Sequence, residues 1–478
     1  MTTVVSPVIL QATARFPVRH EIDGDFTLAE LLNLGHAATA PPVPAPQPQV
    51  AEAALRARLW RPGTGADTTA VTTASTRCRA GETLPQTDRA VSAVDLELMH
   101  AFETAPLWTP PVATSTRALN PTTAHAWLAL AGHWMAVTNG TGDLRFLNAA
   151  CKLLGAAWIH YRGTDVGDAR SQAGWRQPGL AQRLAAAGRQ LEGLTSILTR
   201  RLDSRLLLPT GPPSCSAHPL YLPGRHRGTA ARLAVLAGAG SASPARFLAA
   251  TSSAHLPVAG LCWYTGASAV AGSAAESSYG SAWYPPANQA VGTAVTLPSP
   301  RQLPQTTAAT WEAVADALRR FNADLVILLG MPIVPARILD LPPLGFVNAH
   351  NGALPHYRGM DAVAWALLNN DPVICTLHMA RQAVDAGEIL ATAPIPFPPA
   401  ETLRSRVKTA QLELLLAVAA FTAETGRLPD ATPQPFTPGR RFYRLHPHLK
   451  RVLDASPYAT PSTPRSPERD ANGLSAAP

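Results

Sequence analysis

From residue 232 onward, short apolar runs alternate with helical patterns, and no other feature narrows the fold of this chain as far. Arg232 to Ala237, Val258 to Tyr264, Asp324 to Leu329 and Phe346 to Asn348 have the length and apolar continuity of buried strands. Thr310 to Phe321 has the 3.6-residue repeat of an amphipathic helix. Such alternation predicts an α/β fold, a Rossmann-like, parallel, doubly wound sheet.

The chain before residue 229 reads differently. Residues 1–117 hold few sustained periodic segments. Phe26 to Leu34, capped by Asp25, and Val50 to Trp60 are candidate short helices, separated by Pro-rich and Thr/Ala/Gly-rich runs. Such runs bury too little apolar surface to offset ordering entropy, so this region is expected to be largely disordered. Residues 118–206 carry three helical patterns, around Trp127–Val137, Phe146–Trp158 and Leu180–Leu198, and predict a small helical bundle. His125, His133 and His160 lie on those patterns without a carboxylate or thiolate to complete a metal site, and are read as packing residues. Many of the 46 prolines cluster between segments: residues 207–228 read as a Pro/Gly linker and 455–478 as a disordered tail. Residues 401–454 read as a helical extension built on the amphipathic stretch from Thr402 to Glu424. The α/β domain is thus bounded at 229–400.

Charge and cysteine usage bear on partners. The formal charge of +8 is carried almost wholly by arginines spread along the chain, Lys152, Lys408 and Lys450 being the only lysines. Without a basic stripe, no nucleic-acid partner is expected. The Arg, Ala and Pro bias points to a GC-rich bacterial source. Five scattered cysteines, Cys78, Cys151, Cys215, Cys262 and Cys375, form no Cys-x-x-Cys pair, so neither disulfides nor a structural metal is expected. With no signal-peptide start and no apolar run of spanning length, the chain is expected to be cytoplasmic, with no membrane partner.

The chemistry concentrates between Asn348 and Leu390. Asn348-Ala349-His350 places a carboxamide and an imidazole on one face of a strand, and Asp385-Ala386-Gly387 returns a carboxylate some thirty-five residues later. Asn348 and protonated His350 can donate to a developing oxyanion, an interaction worth about 2.7–4 kcal/mol per donor. Asp385 favours the charged imidazole and can accept an amine proton through water. Taken alone, each has a plainer reading: a turn cap, a core histidine and a turn residue. Gly238-Ala239-Gly240 after the first strand invites a dinucleotide reading, but position 243 is Ser and no acidic residue ends the second strand.

Together with the loop Leu354-Pro355-His356-Tyr357-Arg358-Gly359, these residues resemble the active site of the folate-dependent formyltransferases, most strongly from Leu325 to Leu390. The resemblance implies that Asn348, His350 and Asp385 are catalytic and that 10-formyltetrahydrofolate is the co-substrate. It also implies that Met331, Ile333 and Val384 contact the folate, the plainer reading of Met331 and Ile333 being packing under the sheet edge. Arg358 is read as tying the Leu354-Pro355 loop; His378 points toward the same cleft in the family pattern but is read as structural. The sequence departs from the family pattern at Asn351-Gly352, at Arg381-Gln382-Ala383, where the local charge is reversed, and at Ala386.

The tRNA-specific members carry a C-terminal barrel that has no strand patterning here. A small-molecule amine acceptor is therefore expected, in specialised metabolism. Two alternatives remain open: hydrolysis of the formyl-folate, and a non-catalytic, degenerate domain that binds a ligand.

Overall fold

The computed structural model describes residues 26–37, 91, 93–104, 121–163, 178–205, 231–239, 241, 243–266, 303–395, 403–434 and 441–455. The 207–228 segment, the 456–478 tail, the helix expected at Val50 to Trp60, Cys78 and Cys215 lie outside them. Two compact units emerge. One comprises Met1–Leu207, Gly359–Asp371 and Thr437–Ala455, the other Leu208–Arg358, Pro372–Phe436 and Ser456–Pro478.

Helices α1 (Leu28–Ala37), α2 (Ala93–Thr104), α3 (Pro121–Thr141), α4 (Leu144–Gly163) and α5 (Pro178–Arg205) open the first unit. The start of α1 is set by a capping box in which Thr27 N donates to Glu30 Oε2 (2.7 Å) and Glu30 N to Thr27 Oγ1 (3.2 Å). The bundle core gathers Trp127, Trp134, Phe146, Leu153, Leu184 and Leu191, all buried. His133 pairs with Asp95 at 2.8 Å. Buried Lys152 is ion-paired to Glu103, whose other oxygen accepts from Asn148 Nδ2 at 3.2 Å. Asn148 also grips the chain near its end: its amide donates to Arg444 O (3.1 Å) and its oxygen accepts from His446 N (2.7 Å).

In the second unit, β1 (Leu233–Gly238), α6 (Ser243–Ser253), β2 (Val258–Tyr264), β3 (Gln305–Ala308), α7 (Trp311–Phe321), β4 (Leu325–Leu329), α8 (Ala336–Leu339) and β5 (Phe346–His350) come in turn. Helix α9 (Ala362–Leu368) belongs to the first unit. The chain then returns with β6 (Ile374–Met379), β7 (Ile389–Pro394) and α10 (Leu403–Thr425), and ends its described part on α11 (Pro447–Asp454) of the first unit. The strands form one seven-stranded sheet ordered β3-β2-β1-β4-β5-β6-β7.

Physical chemistry explains the local boundaries. The inner strands β1 and β4 are buried at every position because helices cover both faces. Helix α7 begins at Thr310, whose side chain accepts from Ala313 N, and ends at Asn322 in the left-handed conformation. Its apolar face, with Val314, Leu318 and Phe321, joins Leu236, Val326 and Phe346 in the core. Pairing is parallel from β3 to β5, as the alternation predicts. It turns antiparallel at β5–β6 and β6–β7, because a connection bearing only the short α9 brings β6 back alongside its predecessor. The sheet is therefore mixed rather than wholly parallel.

Gly238 ends β1 where the chain after β4 crosses closely: a Cβ there would meet Gly330 O at 2.2 Å. The Gly-x-Gly signal thus has a packing cause at the point where strand order reverses. Among the described residues no helix is long and apolar enough to cross a membrane.

Candidate active site

Strand β5 sets the site. Its pleat puts Asn348 and His350 on one face, and antiparallel β6 places His378 opposite Asn348 and Thr376 opposite His350. The loop after β5 is pinned to β6 by Thr376, whose hydroxyl donates to Gly352 O (2.8 Å) and accepts from Leu354 N (3.2 Å). A turn then carries Tyr357 N onto Ala353 O at 2.9 Å. This leaves Tyr357 O pointing at His350, 2.6 Å from Nε2. A carbonyl only accepts, so Nε2 carries the proton and Nδ1 is the nitrogen left for chemistry.

That nitrogen faces a carboxylate. His350 Nδ1 lies 3.6 Å from Asp385 Oδ2, and His378 Nε2 lies 3.7 Å from Asp385 Oδ1. Both separations exceed an ordinary hydrogen bond, so the carboxylate acts on the two rings through its field. The His350 imidazole is 7 % exposed, that of His378 2 % and Asp385 13 %, a nearly closed cluster with its opening on the carboxylate side. His378 is held neutral: burial pushes its pKa down to about 4 against the opposing pull of Asp385, and the His350 charge lowers it further.

Asp385 is positioned by its loop. Its φ is +51°, a left-handed conformation uncommon outside glycine. Two residues on, Gly387 runs so close to β6 that a Cβ would sit 1.8 Å from Met379 O. The altered segment before it is anchored through Arg381 Nε, which donates to Glu388 Oε2 at 2.9 Å, so the reversed charge is paired locally.

The structure therefore brings Asn348, His350 and Asp385 into one cluster together with His378, which the resemblance points toward the same cleft. The apolar residues are more dispersed in environment. Met331 packs on the core, Val384 is partly buried, and Ile333 is 63 % exposed. Arg358, expected to tie the Leu354-Pro355 loop, has its Nη2 and Nε donating to Gln434 Oε1 at 2.9 and 3.2 Å. Gln434, and Gln411 of α10, whose amide donates to Ala349 O, were not signalled by any local pattern, since their partners lie dozens of residues away. Among the described residues no group of three or more His, Cys, Asp and Glu side chains could hold a metal ion.

A strand-end Asn-x-His on a mixed α/β sheet is thus faced by a carboxylate from the next loop but one. Residues 231–419 match the family model described as formyl transferase, and this stretch of the chain is a formyltransferase-family domain. The methionyl-tRNA formyltransferase of Agathobacter rectalis is 38 % identical over 88 residues, 18 % of this chain and 28 % of that protein. That of Syntrophus aciditrophicus is 32 % identical over 109 residues, 22 % of this chain and 35 % of that protein. The matches thus span well under half the length of these relatives. Among solved structures, glycinamide ribonucleotide transformylase 1 from Symbiobacterium toebii aligns over 48 % of this chain and 100 % of its own at 21 % identity, with a TM-score of 0.31.

Proposed function

We propose that the domain transfers a formyl group from a 10-formyltetrahydrofolate-type donor to the amine of a small-molecule acceptor. The observation that carries this reading is the disposition of His350: its Nε2–H is fixed on Tyr357 O, and its Nδ1 faces Asp385 beside the Asn348 carboxamide. The acceptor nitrogen attacks the formyl carbon and the carbonyl oxygen becomes an oxyanion. Asn348 Nδ2–H and the protonated Nδ1 of His350 donate to that oxygen, where charge develops. Asp385 takes the proton released by the attacking amine, directly or through a water, and His350 returns a proton to the departing donor nitrogen. Neutral His378 supplies no competing positive charge and holds Asn348 in place.

Met331, Ile333 and Val384 are proposed to contact the donor's ring system. An isoleucine 63 % exposed on a loop suits a wall completed by a flat apolar ligand.

The test is to incubate the purified protein with 10-formyltetrahydrofolate and a panel of amines, amino sugars and nucleotide-linked amino sugars among them, and to monitor products by mass spectrometry. Formylated amine, lost in His350→Ala and Asn348→Ala, is the expected result. Free formate without formylated amine would reassign the same groups to hydrolysis, and unchanged donor in every reaction would refute catalysis.

A further inference from the structure

Gln434 lies on the short segment after α10, held where Thr432 and Ile389 exchange both backbone hydrogen bonds at 2.8 Å. Its side chain is partly buried and every polar atom of it is used. The amide nitrogen donates to Asp385 O at 3.0 Å and to Gly387 O, and the amide oxygen accepts from Arg358 Nη2 and Nε. The orientation of the carboxamide is dictated by its partners, since two carbonyls only accept and a guanidinium only donates.

These bonds close on His350 from both sides. Arg358 directly succeeds Tyr357, whose carbonyl holds His350 Nε2. Gln434 holds the carbonyl of Asp385, whose carboxylate faces His350 Nδ1. Asp385 sits at φ +51°, a conformation that persists only when surrounding contacts over-determine it. Gly387, wedged against Met379 O, supplies one such contact and Gln434 the other.

We propose that Gln434 is a positioning residue for formyl transfer: its carboxamide ties the loop carrying Asp385 to the loop carrying Tyr357, and thereby sets the separation between Asp385 and His350. The catalytic consequence rests on the formyl-transfer reading above; the tie between the loops does not.

Two variants of the full chain separate the parts. Gln434→Ala removes both halves of the tie. Gln434→Glu, nearly the same size, keeps an acceptor for Arg358 but cannot donate to the two carbonyls. Both are expected to lower kcat by about tenfold to a hundredfold, the scale of a roughly 1 Å misplacement, with KM for donor and amine within about twofold of the parent. Hydrogen–deuterium exchange should show faster exchange over residues 381–388 in both. A parental kcat in Gln434→Glu, or unaltered exchange over that loop, would overturn the proposal; a parallel rise in KM would mark ligand binding instead and overturn it too. The glutamate variant serves where the alanine variant does not fold. If the parent itself formylates nothing, the formyl-transfer reading fails, and the exchange experiment still decides whether Gln434 ties the loops.

Discussion

Asn348 and His378 face each other across antiparallel β5 and β6, with Asn348 Nδ2 3.3 Å from His378 Nε2. His378 Nδ1 lies 2.8 Å from Met379 O, so that nitrogen carries the proton and Nε2 accepts from the carboxamide. One N–H of Asn348 is spent on this bond, and the proposed contact with the oxyanion falls to the other.

Asn348→Ala should therefore lower kcat by about a hundredfold to a thousandfold, the cost of deleting one oxyanion donor, while leaving the melting temperature close to that of the parent. Steady-state turnover with the formyl donor, alongside a thermal melt, checks both halves.

His378 should make stability depend on pH in an identifiable window. Its folded pKa, about 4, lies below its ordinary value of 6.5. The unfolded chain therefore binds the proton first as pH falls. Stability from this group is complete above pH 6.5 and is lost on acidification toward pH 4, by on the order of 3 kcal/mol at most. Urea unfolding of the parent and of His378→Gln between about pH 7 and pH 4 tests this. The parent midpoint should fall more steeply with acid than that of the variant.

Gly387→Ala should damage both fold and activity. The added Cβ would lie 1.8 Å from Met379 O, a backbone atom that cannot swing aside. A loss of about 3 kcal/mol is expected for overpacking of this kind, together with a fall in kcat as Asp385 moves. Chemical denaturation and kinetics on the same sample measure the two effects, and a fully stable, fully active variant would refute the close approach.

In the helical unit, Lys152→Met should cost about 3–5 kcal/mol, because it strands the buried Glu103 carboxylate. Adding Glu103→Gln should recover most of that loss, since a neutral amide keeps the oxygen that Asn148 Nδ2 binds. A double variant no more stable than Lys152→Met would show that the pair is not coupled in this way. A double-mutant cycle of unfolding free energies gives the answer.

The α/β fold and its strands were legible because local burial writes itself into local pattern. Val258–Tyr264 is a strand over the predicted residues, Thr310 caps the predicted helix, and the apolar runs at Leu233 and Leu325 lie at the sheet centre. The helix at Ala93–Thr104 was missed, since its face is completed by residues of other segments, Trp134 packing on Phe102 and Asn148 on Glu103. The antiparallel return of β6 was also not legible, because strand direction depends on the connection and leaves no mark in the strand's own residues.

By itself the sequence determined which polar groups are available for chemistry: Asn348 and His350 share a face through the two-residue period of a strand, whatever surrounds them. Tertiary structure decided what each does. Only the folding of Tyr357 O onto His350 Nε2 leaves Nδ1 as the nitrogen that faces Asp385. Only the pairing of β6 with β5 gives His378 a partner in Asn348. Only the arrival of Gln434 from beyond α10 gives the Asp385 carbonyl its amide donor. Hydrogen bonds between segments dozens of residues apart have no periodicity to betray them, and their geometry exists only once the hydrophobic core has brought those segments together.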